Sequence, residues 1–222
     1  MNSDKYIRYL RTLGVMVGKG TFFQSPETAC VDVTRPLLVE IGDNCTFLEN
    51  FTLLTHDNVT RTLVNIYHEF LASSGAVKIG NNVYFTRNCT VLKGVTIGDN
   101  CIIGFGSVVM NDIPANSVVA GTPARVICHI DEYYTKRLRE SLEEAMEYAR
   151  VIYRKTGRRP KVEEMYEEFH YWMEGDETDE RLKFSPATQL RDSYEYWKKH
   201  HKAQFKTFDE FVDKALEKIV QE

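Results

Sequence analysis

The sequence predicts a mainly β fold, a parallel β-helix with a short N-terminal helix and an α-helical C-terminal extension. Three observations predict it: an apolar residue at every sixth position, an Ile-Gly-Asn/Asp-Asn phrase that returns after eighteen residues, and a change in composition near residue 130. Val, Ile, Gly, Asn and Thr dominate before that point, and Glu, Lys, Arg and aromatic residues dominate after it. We therefore expect a helix within residues 1–14, a β-helix over 15–130 and a helical extension over 131–222.

The six-residue repeat is the strongest signal in the chain. Its apolar positions are Ile79, Phe85, Val91, Ile97, Ile103 and Val109. The fifth residue of each hexad is small or medium-sized, namely Val83, Cys89, Val95, Cys101, Ser107 and Ile113. An amphipathic helix or an alternating strand would turn these positions to changing faces, but a triangular solenoid with one short strand and one corner per hexad keeps both inside. Three hexads then make one coil, and neighbouring coils pair through their backbones about 4.8 Å apart.

A long insertion interrupts the coils. The repeated phrase occurs at Ile41 and Ile79, 38 residues apart, so one coil of 18 residues leaves an insertion of 20. The chain should leave the wall after about His56 and return near Val77, which places the insertion at about residues 57–76. Loops beyond roughly 12 to 15 residues are uncommon unless they form lids or binding elements, so a functional element is favoured over a surface excursion.

Helical signals flank the repeats. Residues 4–13 carry apolar side chains at helical spacing and stop at Gly14, which predicts a helix that covers the open end of the solenoid. A long amphipathic helix is predicted up to Gly157, a second helix over 161–174, and a last helix behind the capping box that starts at Thr207.

Composition and charge argue against several function classes. Lys and Arg number 28 against 32 Asp and Glu, so the net charge of −4 provides no basic field for nucleic acid or anionic lipid. No apolar run reaches the ~20 residues of a membrane span, and the N-terminus does not resemble a secretory signal, so we expect a cytoplasmic protein. Five cysteines without a CxxC pair indicate reduced core thiols rather than disulfides or a zinc ribbon.

His56 is the first candidate for chemistry, because it lies where the insertion leaves the solenoid wall. An imidazole can take a proton from a hydroxyl as that oxygen attacks a carbonyl, so a general base is the functional interpretation and a hydrogen-bonded loop histidine is the structural one. His68, inside the insertion, is a weaker alternative. Cys45, Cys89 and Cys101 occupy the inward hexad position, which argues against a cysteine nucleophile, and the scattered histidines predict no metal site.

The segment Ala120–Arg125 breaks the hexad at the end of the repeats and brings a cation to the solenoid rim. Arg125 could pair with a phosphate or with an acidic side chain of the C-terminal extension, and the residues alone do not choose between the two. A phosphate-binding loop of the GxxxxGK[ST] type does not occur in the sequence.

Three longer stretches carry a resemblance to a known family. They are Asp32-Val33-Thr34-Arg35-Pro36, Leu53-Leu54-Thr55-His56-Asp57, and the run from Ile97-Gly98-Asp99-Asn100 through Gly104-Phe105-Gly106-Ser107-Val108-Val109 to Ala120-Gly121-Thr122-Pro123-Ala124-Arg125. Together with the hexads, they resemble the hexapeptide-repeat acyltransferases, in particular the galactoside, maltose and capsular-polysaccharide O-acetyltransferases. The resemblance covers about residues 15–127.

The resemblance implies a left-handed β-helix and a homotrimer with active sites between neighbouring subunits. It also implies acetyl-CoA as the donor, direct transfer to a hydroxyl of a sugar or polysaccharide with His56 as general base, and a backbone amide that supports the oxyanion. The positions that would contact coenzyme A are Tyr84, Arg87, Phe105, Met110, Asn111 and Arg125. Asp32 and Glu49 are candidate groups on the acceptor side, and no metal is expected.

Other functions stay open at this point. An amino-sugar N-acetyltransferase would use the same base. A non-catalytic trimeric scaffold is favoured by the atypical residues at the donor positions, for example Phe105 where the family usually has Ala, but His56 beside a long insertion speaks against it. A metal enzyme of the γ-carbonic anhydrase type would require three stacked histidines, which the sequence lacks. We therefore expect an O-acetyltransferase of polysaccharide biosynthesis.

Overall fold

The computed structural model describes residues 1–220, in two compact units that meet in the chain between Thr135 and Lys136. The strands are β1 Met16–Val17, β2 Phe22–Phe23, β3 Cys30–Val31, β4 Val39–Ile41, β5 Thr46–Phe47, β6 Thr52–Leu53, β7 Val77–Ile79, β8 Tyr84–Phe85, β9 Thr90–Val91, β10 Thr96–Ile97, β11 Ile102–Ile103, β12 Val108–Val109, β13 Ser117–Gly121 and β14 Ala124–His129. The helices are α1 Ser3–Leu13, α2 Thr60–Tyr67, α3 Ile130–Thr156, α4 Pro186–Leu190, α5 Tyr194–His200 and α6 Phe208–Val220.

The strands of the first unit form three sheets that the chain visits in turn. The sheets are ordered β1-β4-β7-β10, β2-β5-β8-β11-β13-β14 and β3-β6-β9-β12. All pairs are parallel except the hairpin of β13 and β14. Ile79 pairs with Ile97 and Val91 with Val109, so one coil takes eighteen residues there. The first unit is the predicted parallel β-helix.

The core of this unit consists of the two predicted inward positions of each hexad. The six apolar positions from Ile79 to Val109 are at most 1% exposed, and the six smaller positions from Val83 to Ile113 are at most 6% exposed. Three phenylalanine rings, Phe23, Phe47 and Phe85, stack through successive coils with centroid distances of 4.4 and 5.0 Å. Both inward positions are therefore confirmed.

Asparagines shape the corners between the sheets. Asn82, Asn88 and Asn100 adopt left-handed backbone with φ of 55°, 61° and 57°, a conformation that asparagine tolerates better than most residues. Their side chains also form a ladder between coils: Nδ2 of Asn82 donates to Oδ1 of Asn100 at 3.0 Å, and Nδ2 of Asn100 donates to Oδ1 of Asn116 at 2.9 Å. Corner residues of successive coils are thus held above one another.

Helix α1 covers the first coil, as predicted. The side chain of Asn2 accepts a hydrogen bond from the amide of Lys5 at 3.0 Å, and the helix ends at Gly14 with a φ of 104°. Its buried residues Tyr6 and Leu10 belong to the same core as the strands. The apolar end of the solenoid is therefore covered.

The insertion follows β6, and the next strand of the wall, β7, begins at Val77. The insertion contains helix α2. The six-residue repeat predicts the length and position of the insertion but not this helix. Val59 precedes this helix and offers no side-chain cap, so the usual signal of a helix start is missing from the sequence.

The second unit has a helical core of its own. Helix α3 ends before Gly157, whose φ is 68°, as predicted. The last helix is also confirmed, because the hydroxyl of Thr207 accepts from the amide of Glu210 at 3.1 Å. The carboxylate of Glu210 accepts from the amide of Lys206 rather than from that of Thr207, so the second half of the capping box is displaced by one residue. Within residues 1–220, none of the helices combines the length and the apolarity that crossing a membrane requires.

The predicted helix over 161–174 is wrong. This segment has only two short 3-10 turns, Val162–Glu164 and Phe169–Tyr171. The carbonyl of Tyr171 accepts from the amides of Gln204 and Phe205 at 3.0 and 2.9 Å, so it is used by a distant segment instead of by a following helical turn. Tertiary packing of the aromatic side chains overrides the local helical pattern.

Candidate active site

His56 and Asp32 meet at one edge of the β-helix. Strands β3 and β6 are neighbours with Val31 opposite Leu53, and both residues lie just beyond these strands. Nδ1 of His56 is 2.6 Å from Oδ2 of Asp32. We call the corner that follows β3, β6, β9 and β12 the His56 edge.

The carboxylate of Asp32 is buried and receives hydrogen bonds on both oxygens. Oδ1 accepts from the amide and hydroxyl of Thr34 at 2.9 and 2.7 Å. Oδ2 accepts from the amide and hydroxyl of Thr55 at 3.0 and 2.5 Å, besides its contact with His56. Burial alone would raise the pKa of Asp32, but the hydrogen bonds from Thr55 and Thr34 outweigh it and hold the pKa well below its usual range. Asp32 is therefore a fixed, charged acceptor.

The arrangement selects one tautomer of His56. An ionised carboxylate only accepts hydrogen bonds, so Nδ1 carries the proton that points to Asp32. In the neutral ring, Nε2 then has a free lone pair. The side chain of His56 is 22% exposed, which leaves it accessible to a substrate. The pair can take a proton at Nε2 and stabilise the resulting imidazolium through Asp32.

Backbone contacts hold the two ends of the insertion together beside this pair. His56 and Ser74 form an antiparallel bridge, and the amide of Gly75 donates to the carbonyl of Thr55 at 2.9 Å. The amide of Asp57 donates to the carbonyl of Ser73 at 3.3 Å. His56 thus lies at the base of the insertion rather than on a free loop.

Glu49 and Arg87 meet at a different corner, which follows β5, β8 and β11 and which we call the Arg87 edge. Nε of Arg87 donates to Oε2 of Glu49 at 2.6 Å. Hydrogen bonds from its own backbone amide and from Arg87 lower the pKa of Glu49. The amide of Gly106 donates to the carbonyl of Arg87 at 3.0 Å, which places Phe105 in the next coil of the same edge.

The remaining positions predicted to contact coenzyme A are exposed in the single chain. Tyr84, on the outer face of the second sheet, is 41% exposed and Phe105 is 69% exposed. Met110 and Asn111 are exposed just beyond β12, on the His56 edge. Arg125 is exposed on β14, where Nη1 donates to the carbonyl of Ala124 at 2.8 Å. In one chain these positions are therefore divided among the Arg87 edge, the His56 edge, the outer face of the second sheet and the terminal hairpin.

The other candidate groups are less suited to chemistry. His68 is exposed and ends α2 with left-handed backbone. Burial raises the pKa of the thiols of Cys45, Cys89 and Cys101, which makes them poor nucleophiles. In the part of the chain that the structure describes, no three His, Cys, Asp or Glu side chains are grouped to hold a metal ion.

Sequence reasoning missed Thr34, Thr55 and Lys93 as site residues. Thr34 and Thr55 fix Asp32, and Lys93 contacts the base of the insertion. A signal for Lys93 exists, because Leu53 and Val91 occupy equivalent hexad positions and Thr55 and Lys93 each follow two residues later.

Comparison with known proteins gives a consistent set of relatives. The family model "bacterial transferase hexapeptide (six repeats)" matches residues 76–111. The galactoside O-acetyltransferase of Escherichia coli strain K12 is 41% identical over 106 residues, which cover 44% of this chain and 49% of that protein. The chain thus matches about half the length of that relative.

Two further relatives are matched over more of their length. The candidate acetyltransferase YvoF of Bacillus subtilis strain 168 is 33% identical over 61% of this chain and 72% of its own. Protein CapG of Staphylococcus aureus is 36% identical over 58% of this chain and 74% of its own.

Proposed function

Because the chain belongs to the bacterial transferase hexapeptide family of acetyltransferases, we propose that it transfers an acetyl group from acetyl-CoA to a hydroxyl of a sugar or polysaccharide. The observation that carries this proposal is the pair of Asp32 and His56, which has the composition and geometry of a general base with its orienting carboxylate. The named activity of the galactoside relative supports the sugar acceptor.

The reaction needs one proton acceptor and no covalent enzyme intermediate. Nε2 of His56 takes the proton of the acceptor hydroxyl while that oxygen attacks the thioester carbonyl. Asp32 accepts the hydrogen bond from Nδ1 and stabilises the imidazolium. When the tetrahedral adduct collapses, the carbon–sulfur bond breaks and the imidazolium returns the proton to the leaving thiolate. The products are the acetyl ester and free coenzyme A.

We assign Asp32 and Glu49 roles other than direct binding of the acceptor. Both oxygens of Asp32 already accept several hydrogen bonds within the chain, so we assign it the orientation of His56. Glu49 accepts a hydrogen bond from Arg87, so we propose that it competes with the donor for the guanidinium of Arg87. In this assignment Glu49 affects donor binding rather than acceptor binding.

We propose a left-handed β-helix in a homotrimer with active sites between subunits. The separation of the predicted donor positions supports shared sites: the Arg87 edge carries Phe105 and a cation, whereas Met110 and Asn111 share the His56 edge. A donor groove between the Arg87 edge of one protomer and the His56 edge of its neighbour would unite both groups. The cation of Arg87 suits a phosphate of coenzyme A, and the exposed ring of Phe105 suits an apolar groove wall.

The direct test is release of free coenzyme A from acetyl-CoA in the presence of a panel of sugars, amino sugars and glycan fragments. Mass spectrometry of the products identifies the acetylated acceptor. An alkali-labile ester product supports the proposal, whereas an amide product identifies an amino-sugar N-acetyltransferase. Absence of both coenzyme A binding and product, in protein shown to be folded, contradicts the proposal and supports a scaffold.

A further inference from the structure

Lys93 joins the β-helix to both ends of the insertion. It lies two residues beyond β9, on the His56 edge, in the coil that follows the one that carries His56. Its ammonium contacts the carboxylate of Asp57 and the hydroxyl of Ser73. The hydroxyl of Ser73 also donates to the same carboxylate oxygen at 3.0 Å. We call Lys93, Asp57 and Ser73 the clamp.

The clamp lies directly beside His56 in the chain. Asp57 follows His56, and Ser73 precedes Ser74, the residue that bridges to His56. The side chains of Lys93 and Asp57 are each 31% exposed, so water screens this pair less than it screens a fully exposed ion pair. Asp57 and Ser73 bind one ammonium, which therefore resists separation of the two ends of the insertion.

We propose that Lys93 is a positioning residue for the transfer reaction, because it fixes the backbone of His56 by clamping both ends of the insertion to the neighbouring coil. The inference rests on the proposed function, since it assumes that His56 acts as the base. Asp32 fixes the imidazole ring and Lys93 fixes the backbone that carries it. These two restraints come from different coils, β3 on one side of His56 and β9 on the other.

A lysine suits this task for chemical reasons. Its ammonium has several donors and can bind a carboxylate and a hydroxyl together. Loss of the cation would leave Asp57 with the hydroxyl of Ser73 and a long bond to the amide of Val59, at 3.4 Å. The backbone bonds of Asp57 and Gly75 would then open more often. A misplacement of the base by about 1 Å can reduce turnover by roughly 100-fold.

The test compares three variants of the full-length protein. Lys93→Met removes the charge and keeps much of the length, and Lys93→Arg restores a cation that can bind both partners. Lys78→Met is the matched control, because Lys78 is also a solenoid lysine in an ion pair, but its ammonium pairs with Glu40 of β4, at 3.5 Å, instead of with a residue of the insertion. Each variant is assayed for amide exchange at Asp57 and Gly75, for the kinetic constants of transfer and for coenzyme A binding.

We expect Lys93→Met to speed exchange at these two amides by about tenfold or more and to lower kcat by roughly 10- to 100-fold. The dissociation constant of coenzyme A should change by less than about twofold. Lys93→Arg should restore most of the protection of the two amides and most of kcat, and Lys78→Met should match the wild type. Equal behaviour of Lys93→Met and Lys78→Met would overturn the inference.

The amide exchange measurement separates this inference from the proposed function. If the wild type binds coenzyme A but acetylates no acceptor, the proposed function is at fault, and exchange alone decides whether the clamp exists. If transfer occurs and Lys93→Met speeds exchange at Asp57 and Gly75 without affecting kcat, the clamp is structural and the positioning role is wrong.

Discussion

The carboxylate of Asp32 and the imidazole of His56 lie 2.6 Å apart, although 24 residues separate them in the chain. Coiling brings them together, because Val31 and Leu53 are opposite each other in neighbouring strands. The relationship gives His56 a defined tautomer, with the proton on Nδ1 facing Asp32 and the lone pair on Nε2.

Replacement of Asp32 by Asn should impair catalysis without abolishing substrate binding. An amide can donate to Nδ1 and so favour the tautomer with its proton on Nε2, which cannot accept the proton of the acceptor. We expect kcat to fall by roughly 100-fold or more, with KM for acetyl-CoA changed by less than about threefold. Steady-state kinetics on folded protein measure both constants. A kcat within about threefold of the wild type would contradict this role.

The stability contribution of Asp32 should depend on pH. Its pKa in the folded protein lies below that in the unfolded chain, so its stabilising effect is present above the unfolded value of about 3.9 and is lost as the pH falls through the folded value. The midpoint of thermal unfolding of Asp32→Asn should therefore lie furthest below that of the wild type near neutral pH. The difference should shrink below about pH 4. A difference that stays constant with pH would mean that charge is not involved.

Arg87 and Glu49 should control donor affinity in opposite directions. Arg87→Met removes the proposed phosphate partner and should raise KM for acetyl-CoA roughly tenfold. Glu49→Gln weakens the ion pair that competes for Arg87 and should lower the same constant. Kinetics with each substrate varied in turn distinguish this from a role on the acceptor side. A change confined to KM for the acceptor would show that Glu49 binds the acceptor instead.

Thiol reactivity should follow burial. Cys45, Cys89 and Cys101 lie in the core and burial raises the pKa of each, whereas Cys30 is exposed and Cys128 is half-buried. A chromogenic disulfide reagent should modify at most two thiols in the native protein and all five after denaturation. Mass spectrometry locates the modified residues. Rapid native modification of Cys89 or Cys101 would show that the hexad core is not packed as described.

The repeats could be predicted because their period is constant. From Ile79 to Val109 each hexad keeps its register, so burial follows directly from counting. The first coil could not be counted in the same way, since Phe23 and Val31 are eight residues apart and Val17 and Ile41 are 24 residues apart. Counting residues therefore does not predict the pairing of β3 with β6, nor the contact between Asp32 and His56 that depends on it.

The helical extension shows a second limit of local patterns. Helix α3 has apolar residues at helical spacing along its length and ends before Gly157. These two signals are enough to predict it from the sequence. The segment 161–174 has apolar residues at helical spacing as well, but distant amides bind its carbonyls. No local signal distinguishes these two cases, because the competing partners lie some thirty residues further along the chain.

The central claim is that His56 is the base that deprotonates the acceptor. The most direct measurement compares the kcat of acetyl transfer for His56→Gln and for His68→Gln, a matched change at the other histidine near the insertion. The account predicts a loss of roughly 100-fold or more for His56→Gln and wild-type turnover for His68→Gln. Equal turnover in the two variants would contradict it.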